Sequence, residues 1–255
     1  QLHEHCRLKT FFLGNRTRRA VNSGFGDYVP MYFSSIPGLL RDEVSWSLDL
    51  CLIQVSPPDE HGFCSLGIAV DINKVAAEMA KIVIAQVNPQ MPRTLGDSFI
   101  HVNRLDYFVE HEEPLIEVFF RERSAVAERI ARYVSALIED GSTVQVGIGR
   151  IANSILRYLD DKKDLGVHTE ILTDAHLELV KKGVITSRRK SLHVGKIISS
   201  CCMGSRRLYE FVHNNPEVEL YPTEYVNDRA VISQNDQMVA INSALEMDLS
   251  GQVCA

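Results

Sequence analysis

The chain has 255 residues, 45% apolar and 24% charged, with a formal net charge of −6. These proportions exclude a disordered chain and suit two globular domains. They leave a nucleic-acid partner only a local basic face, and no apolar run approaches the roughly 20 residues of a membrane helix.

His3-Glu4-His5-Cys6 opens the chain. It reads as a frayed polar end rather than a metal site, because no matching ligand cluster follows. The six cysteines include no CxxC pair. Cys51 and Cys64 sit in apolar runs and read as small buried hydrophobes. A chain of this length needs no disulfide staples, so a reducing, cytoplasmic setting is expected. The first residue is Gln, and Gly251 to Ala255 looks like a turn running into a new strand. Both ends therefore read as cuts through a longer protein.

Leu48 to Val55 is a mostly apolar strand, stopped by Ser56-Pro57-Pro58-Asp59. Phe63 to Val70 is a second apolar run. Asp71 caps a helix reaching about Lys81, with Val75, Met79 and Ile82 on one face. Ile82 to Val87 is a strand whose composition predicts burial on both faces. Asn88 to Arg93 carries two prolines three apart and is irregular. Glu110 to Pro114 is the expected joint, dividing the chain into domains 1–113 and 114–255. A helix follows from Ser124 to Ile138, with Val126, Ile130, Val134 and Leu137 as its inward stripe.

The later pattern is cleaner. Thr143 to Val146 is a short buried strand, Gly147-Ile148-Gly149 a tight turn, and Ile151 to Leu159 a helix. Val167 to Leu172 is the next strand, so this is a βαβ unit with a parallel pair. A helix from Asp174 to Lys182 ends at Gly183. Ser187-Arg188-Arg189-Lys190 is the most basic run and reads as a solvated turn. Val194 to Ser199, a helix around Leu208 to Val212, and Val218 to Tyr221 continue the alternation. The class is α/β, with mainly parallel sheets.

Ligands of such sheets bind beyond the carboxyl ends of the strands. The Gly147-Ile148-Gly149 turn and Glu170 both fall there. Amides of a glycine turn can hold an anion or a developing oxyanion, although a purely structural turn has the same pattern. As a nucleotide fingerprint the turn lacks its third glycine, Ala152 standing in that place. Glu170 interrupts a segment suited to burial. It is either a strand-end carboxylate reaching solvent or a nucleophile facing the glycine amides. His168 shares its strand face and reads as a scaffold histidine first.

Val146 to Asn153 followed by Gly166-Val167-His168-Thr169-Glu170 resembles the acetyl-CoA hydrolase/transferase family, above all its 4-hydroxybutyrate CoA-transferase branch. Pro57 to Gly67, Met91 to His101, Gln234-Asn235-Asp236 and Ile241 to Val253 are similar to further stretches of that family, in the same order. The resemblance implies two open, mainly parallel α/β domains of the CoA-transferase type, the second incomplete in this chain. It implies an enzyme, usually a homodimer, that moves CoA between a short-chain acyl-CoA and a small carboxylic acid of the 4-hydroxybutyrate, acetate or butyrate class. Glu170 falls on the family's catalytic glutamate, and Gly147, Ile148, Gly149, Arg150 and Ile151 on the segment lining the CoA thioester. Asn227, Gln234 and Asn242 are candidate polar groups near the acyl or CoA end, because they cluster in the late signature. Arg93 and Asp97 are candidates for bridging the domains. Coenzyme A enters as substrate, and no metal, resident cofactor, nucleic-acid or membrane partner is expected. The rival readings are an acyl-CoA hydrolase on the same scaffold and a non-catalytic CoA-binding fragment.

Overall fold

The computed structural model describes residues 6–42, 44, 46–119 and 124–254; His3, Glu4 and His5 lie outside them. The first elements are β1 (Leu8–Thr10), α1 (Asn15–Asn22), β2 (Gly26–Tyr28) and α2 (Ile36–Arg41). They are followed by β3 (Leu50–Val55), β4 (Phe63–Ser65), α3 (Asn73–Met79), β5 (Ile82–Val87), β6 (Leu95–Gly96), β7 (Phe99–His101) and β8 (Tyr107–Glu110). The second half carries α4 (Ala125–Ser135), β9 (Thr143–Val146), α5 (Arg150–Arg157), β10 (Gly166–Leu172), α6 (Asp174–Lys181), β11 (Ile197–Cys202), α7 (Arg206–Val212) and β12 (Val218–Leu220). It closes with α8 (Thr223–Val226), α9 (Arg229–Ile232), β13 (Met238–Ile241), β14 (Glu246–Met247) and β15 (Val253–Cys254).

The expected α/β class holds. A parallel sheet orders its strands β3-β5-β8, and a second, wholly parallel sheet orders them β13-β9-β10-β11-β12-β6. The edge strand β6 comes from the first half of the chain. There Asp97 N–H donates to Leu220 O at 2.9 Å, and the Asp97 carboxylate pairs with Lys74. Arg93 also joins the halves. Its guanidinium reaches Asp59 at 3.0 Å and its N–H donates to His213 Nδ1 at 3.1 Å. One apolar core is continuous from Ile53, Val55 and Val83 to Val144, Val167 and Leu220.

In the second sheet, β9, β10, β11 and β12 are added in one direction through α5, α6 and α7. Right-handed crossovers then put all three helices on one face, where α4 packs beside α5, α5 beside α6 and α6 beside α7. The other face receives α8, whose residues lie against β10 and β11. The chain then returns and adds β13 on the far side of β9. The strand order therefore reverses between β9 and β13, and in open α/β sheets ligands bind beyond the carboxyl ends of the strands at such a point.

Several expectations need correction. The inward stripe of α4 is Ala127, Ala131 and Ser135, with Ile138 just beyond. Val126 and Leu137 point outward, 60% and 77% exposed. Of the expected stripe, Val134 does pack partly buried against the core, and Ile130 is exposed with Val126 and Leu137. The strand β5 is buried on one face only: Val83, Ala85 and Val87 face the core, while Ile82 is exposed. Its sheet is covered on one side among the described residues. The strand expected from Val194 starts later, at Ile197, because Gly195 turns the chain at a φ of +76°. The basic run is not a solvated turn throughout, since Lys190 is 3% exposed and donates to Val167 O and Lys196 O, each at 2.9 Å.

Candidate functional site

The register of β9 on β10 pairs Thr143 with Gly166 and Val144 with Val167. Carried forward, it sets Thr169 beside Val146 and Glu170 beside Gly147. Thr169 confirms that alignment, because its Oγ1 lies 3.3 Å from both the Val146 N and the Val146 O. The register of β13 on β9 pairs Ile241 with Val146, and so sets Asn242 on the other side of Gly147. Side chains in register share a sheet face. Glu170, the missing side chain of Gly147, and Asn242 thus form a row across the rim where the strand order reverses. A Cβ on Gly147 would sit 3.2 Å from Asn242 Oδ1. Asn242 and Gln145 hold each other by two hydrogen bonds of 3.1 Å between their side-chain amides.

Glu170 is half-buried. Its Oε2 accepts from Asn227 Nδ2 at 2.6 Å. Asn227 follows α8 and also donates to Thr223 Oγ1 at 3.1 Å. The main-chain oxygen of Glu170 is held by Ser199 Oγ at 3.0 Å and touched by Cys201 Sγ at 3.7 Å. Below Glu170 on the same face, His168 Nε2 lies 2.8 Å from Val226 O. Burial pushes that imidazole down to about 4, so it is neutral at physiological pH. His168 thus sits as a scaffold histidine that docks the end of α8 onto β10.

The first half of the chain reaches this rim through residues 66–71. Val70 and Asp71 N–H both donate to Ser200 O, and Thr223 N–H donates to Asp71 O at 3.0 Å. The Asp71 carboxyl accepts from the N–H groups of Ile72 and Asn73. Burial pushes it above the usual carboxylate range, and the charge of Glu170 adds to that rise. Burial likewise pushes the Cys201 thiol up, with Asp71 and Glu170 contributing. Two acidic side chains, Asp71 and Glu170, thus lie close enough to act on one another, and the donor that meets the Glu170 carboxyl is a neutral amide.

The glycine turn is only partly free for an oxyanion. The Gly147 N–H is consumed by Ile241 O at 2.9 Å, as the last rung of the β13 ladder. The Ile148 and Gly149 N–H groups meet no acceptor among the described residues. Gly149 has a φ of +117° and precedes α5, a conformation that side chains other than glycine rarely adopt. Ile151, on the first turn of α5, packs half-buried against the core. The Arg150 side chain lies outside the described residues. Gln234 is not brought to the site. It is exposed, donates to Ala230 O at 2.9 Å, and precedes the amino end of β13, whereas the rim is at its carboxyl end.

Two residues absent from the expected set belong here. Thr223 and Asp71 join Asn227 to the first half of the chain. The only local signal for Thr223 is its place four residues before Asn227, a spacing that stacks the two on one helical face. Nothing local marks Asp71 beyond its role as a helix cap.

Residues 3–119 match the family model of the acetyl-CoA hydrolase/transferase N-terminal domain, and residues 204–255 that of the C-terminal domain. The chain is 49% identical to the 4-hydroxybutyrate coenzyme A transferase of Clostridium kluyveri, an alignment covering 100% of this chain and 59% of that protein. It is 42% identical to the succinyl-CoA:cyclohexane-1-carboxylate CoA transferase of Geobacter metallireducens, over 98% of this chain and 57% of that one. Among solved structures, the 4-hydroxybutyrate CoA-transferase of Porphyromonas gingivalis superposes with a TM-score of 0.86 at 40% identity, covering 99% of this chain and 66% of the other. RipA from Yersinia pestis superposes with a TM-score of 0.89 at 35% identity, covering 96% and 59%. The chain therefore spans somewhat over half the length of the curated relatives it matches.

Proposed function

The chain belongs to the acetyl-CoA hydrolase/transferase family, and from that premise we propose that it carries the nucleophile-bearing part of a CoA-transferase acting between a short-chain acyl-CoA and a carboxylate acceptor. The observation that carries this reading is the Glu170 carboxylate, on the open rim beside the Gly147 turn, held by the Asn227 amide at 2.6 Å. The relatives named above as CoA-transferases support the reaction class.

The chemistry is a double displacement through Glu170. A Glu170 oxygen attacks the acyl carbon of the acyl-CoA, the carbon–sulfur bond breaks, and CoA leaves as thiolate. The product is an acyl-glutamyl anhydride. The thiolate then attacks the glutamyl carbonyl carbon, releasing the first acid as carboxylate and leaving a glutamyl-CoA thioester. An acceptor carboxylate runs the same two steps backward, which regenerates Glu170 and delivers the new acyl-CoA. Acylation and release of a carboxylate need no further reactive group. The protein supplies the donors. Asn227 Nδ2 holds the carboxylate in the attacking position, and the N–H groups of Ile148 and Gly149, which meet no acceptor among the described residues, are the donors for a developing oxyanion, each such donor contributing about 3 kcal/mol. Gln145 and Asn242 fix each other at the rim beside Gly147.

Replacing Glu170 by Gln keeps the shape and the bond to Asn227 but removes the nucleophile. Exchange of labelled CoA between acyl-CoA and free acid is expected to stop while the melting temperature stays put. Exchange at the unsubstituted rate would overturn the reading. Release of free CoA without any acceptor acid would instead mark the hydrolase reading, since water would then be intercepting the anhydride.

A further inference from the structure

The donor at the nucleophile does not stand alone. Asn227 Nδ2 has two hydrogens, and both are used, one on Glu170 Oε2 at 2.6 Å and one on Thr223 Oγ1 at 3.1 Å. The Asn227 main chain is tied to the same residue, its N–H donating to Thr223 O at 2.9 Å. Thr223 is itself fully buried, and its N–H is bonded to Asp71 O at 3.0 Å. Asp71 in turn is pinned by its own N–H on Ser200 O of β11 at 3.2 Å. An unbroken set of bonds thus runs from β11 through Asp71 and Thr223 to the amide and the nucleophile.

The two bonds on Asn227 Nδ2 differ in how long they last. The one to Glu170 is charge-assisted, and such bonds are roughly twice as strong as neutral ones. That strength disappears once the glutamyl group is acylated and carries no charge. The bond to Thr223 is neutral throughout and does not change as the reaction proceeds. An Asn side chain left without anchors has a broad torsion about its amide. We propose that Thr223 is a positioning residue that keeps the Asn227 amide aimed at Glu170 during the covalent stage, when the carboxylate no longer holds it; this rests on Glu170 being the covalent nucleophile. Thr223 touches no reacting atom and acts through Asn227 alone.

The test separates the two half-reactions. The unsubstituted protein, Thr223→Val, Thr223→Ala and Thr223→Ser are mixed with acyl-CoA, and the CoA adduct on the peptide containing Glu170 is followed by mass spectrometry. Each adduct is then chased with an acceptor acid. In the Val variant, which keeps the shape but loses the hydroxyl, adduct formation is expected to stay within about threefold, and the chase to slow about tenfold, the worth of one neutral hydrogen bond. The Ala variant should show the same split, and the Ser variant should restore the chase. A Val variant slowed equally in both steps, or in neither, overturns the proposal, as does a Ser variant as slow as Val. An unsubstituted protein that exchanges CoA without ever carrying an adduct overturns the covalent reading instead.

Discussion

Gly166, His168 and Glu170 follow one another on one face of β10, and the two ends of that run are built differently. At the amino end the Lys190 stem lies over Gly166, so close that a Cβ there would sit 2.4 Å from a Lys190 carbon. The Lys190 ammonium spends two hydrogens on Val167 O and Lys196 O, and burial pushes it down to about 7. His168, in the middle, is capped by Val226 O and neutral. At the carboxyl end Glu170 is half-buried and partnered by an amide that cannot neutralise it. Both ends hold titratable groups. At one end main-chain carbonyls consume them in holding the fold, and at the other the partner is a side chain that leaves the charge in place. The identity of the partner, more than the identity of the residue, separates scaffold from chemistry.

That contrast can be broken most sharply at Asn227. Asn227→Ala should lower the exchange rate by about 10²- to 10³-fold, the usual loss for one preorganised donor, and leave the thermal melt nearly unchanged. A large fall in melting temperature with modest loss of rate would put Asn227 with the scaffold. At the other end of the run Gly166→Ala should do the reverse. The new methyl overlaps the Lys190 stem and Thr143 Oγ1, so folding should lose about 1–3 kcal/mol. At roughly 2–4 °C per kcal/mol for a chain of this size, a thermal melt reads that loss, and the exchange rate per folded molecule should hold.

The titratable scaffold also predicts how stability varies with pH. The folded Lys190 sits near 7 and an unfolded lysine near 10.5. Between those values the unfolded chain binds a proton the folded chain lacks, so stability should rise with pH, by up to about 1.4 kcal/mol per unit. Lys190→Met should flatten this rise in denaturant titrations taken from pH 7 to pH 10. His168 and the buried His176, both pushed down to about 4 from 6.5, act with the same sign lower on the scale. Stability should therefore fall as pH drops from 6.5 toward 4. The smallest expected effect is that of Gly147→Ala. A contact of 3.2 Å with Asn242 Oδ1 asks the Gln145–Asn242 pair to give by a few tenths of an ångström, so the exchange rate should drop only a few-fold.

The βαβ unit around the glycine turn was legible in the sequence because its periods are local: a short apolar strand, two glycines, a helical stripe, then a strand broken by one carboxylate. Glu170 stood out for the same reason, as a charge inside an apolar run. What was not legible depends on contacts between distant segments. Of the expected stripe of α4 only Val134 packs on the core, where Ala127 and Ala131 are buried in place of Val126 and Leu137. Lys190 read as solvated because nothing in Arg188-Arg189-Lys190 tells which of three cations will fold over Gly166. Asn227 and Gln234 looked alike as amides near one signature, yet α8 brings the first to Glu170 while the second precedes the amino end of β13. Asp71 looked like an ordinary helix cap, and its position near Glu170 follows from residues 66–71 crossing the carboxyl end of β11.

The proposed double displacement requires the Glu170 carboxylate to become covalently linked to CoA. Incubating the protein with an acyl-CoA in the absence of acceptor, then digesting and weighing the peptides, tests it directly. A CoA-sized mass increase is expected on the peptide spanning Glu170 alone, removed on adding an acceptor acid and absent in Glu170→Gln. Sustained CoA exchange with that peptide unmodified, or an adduct that persists in Glu170→Gln, would contradict it.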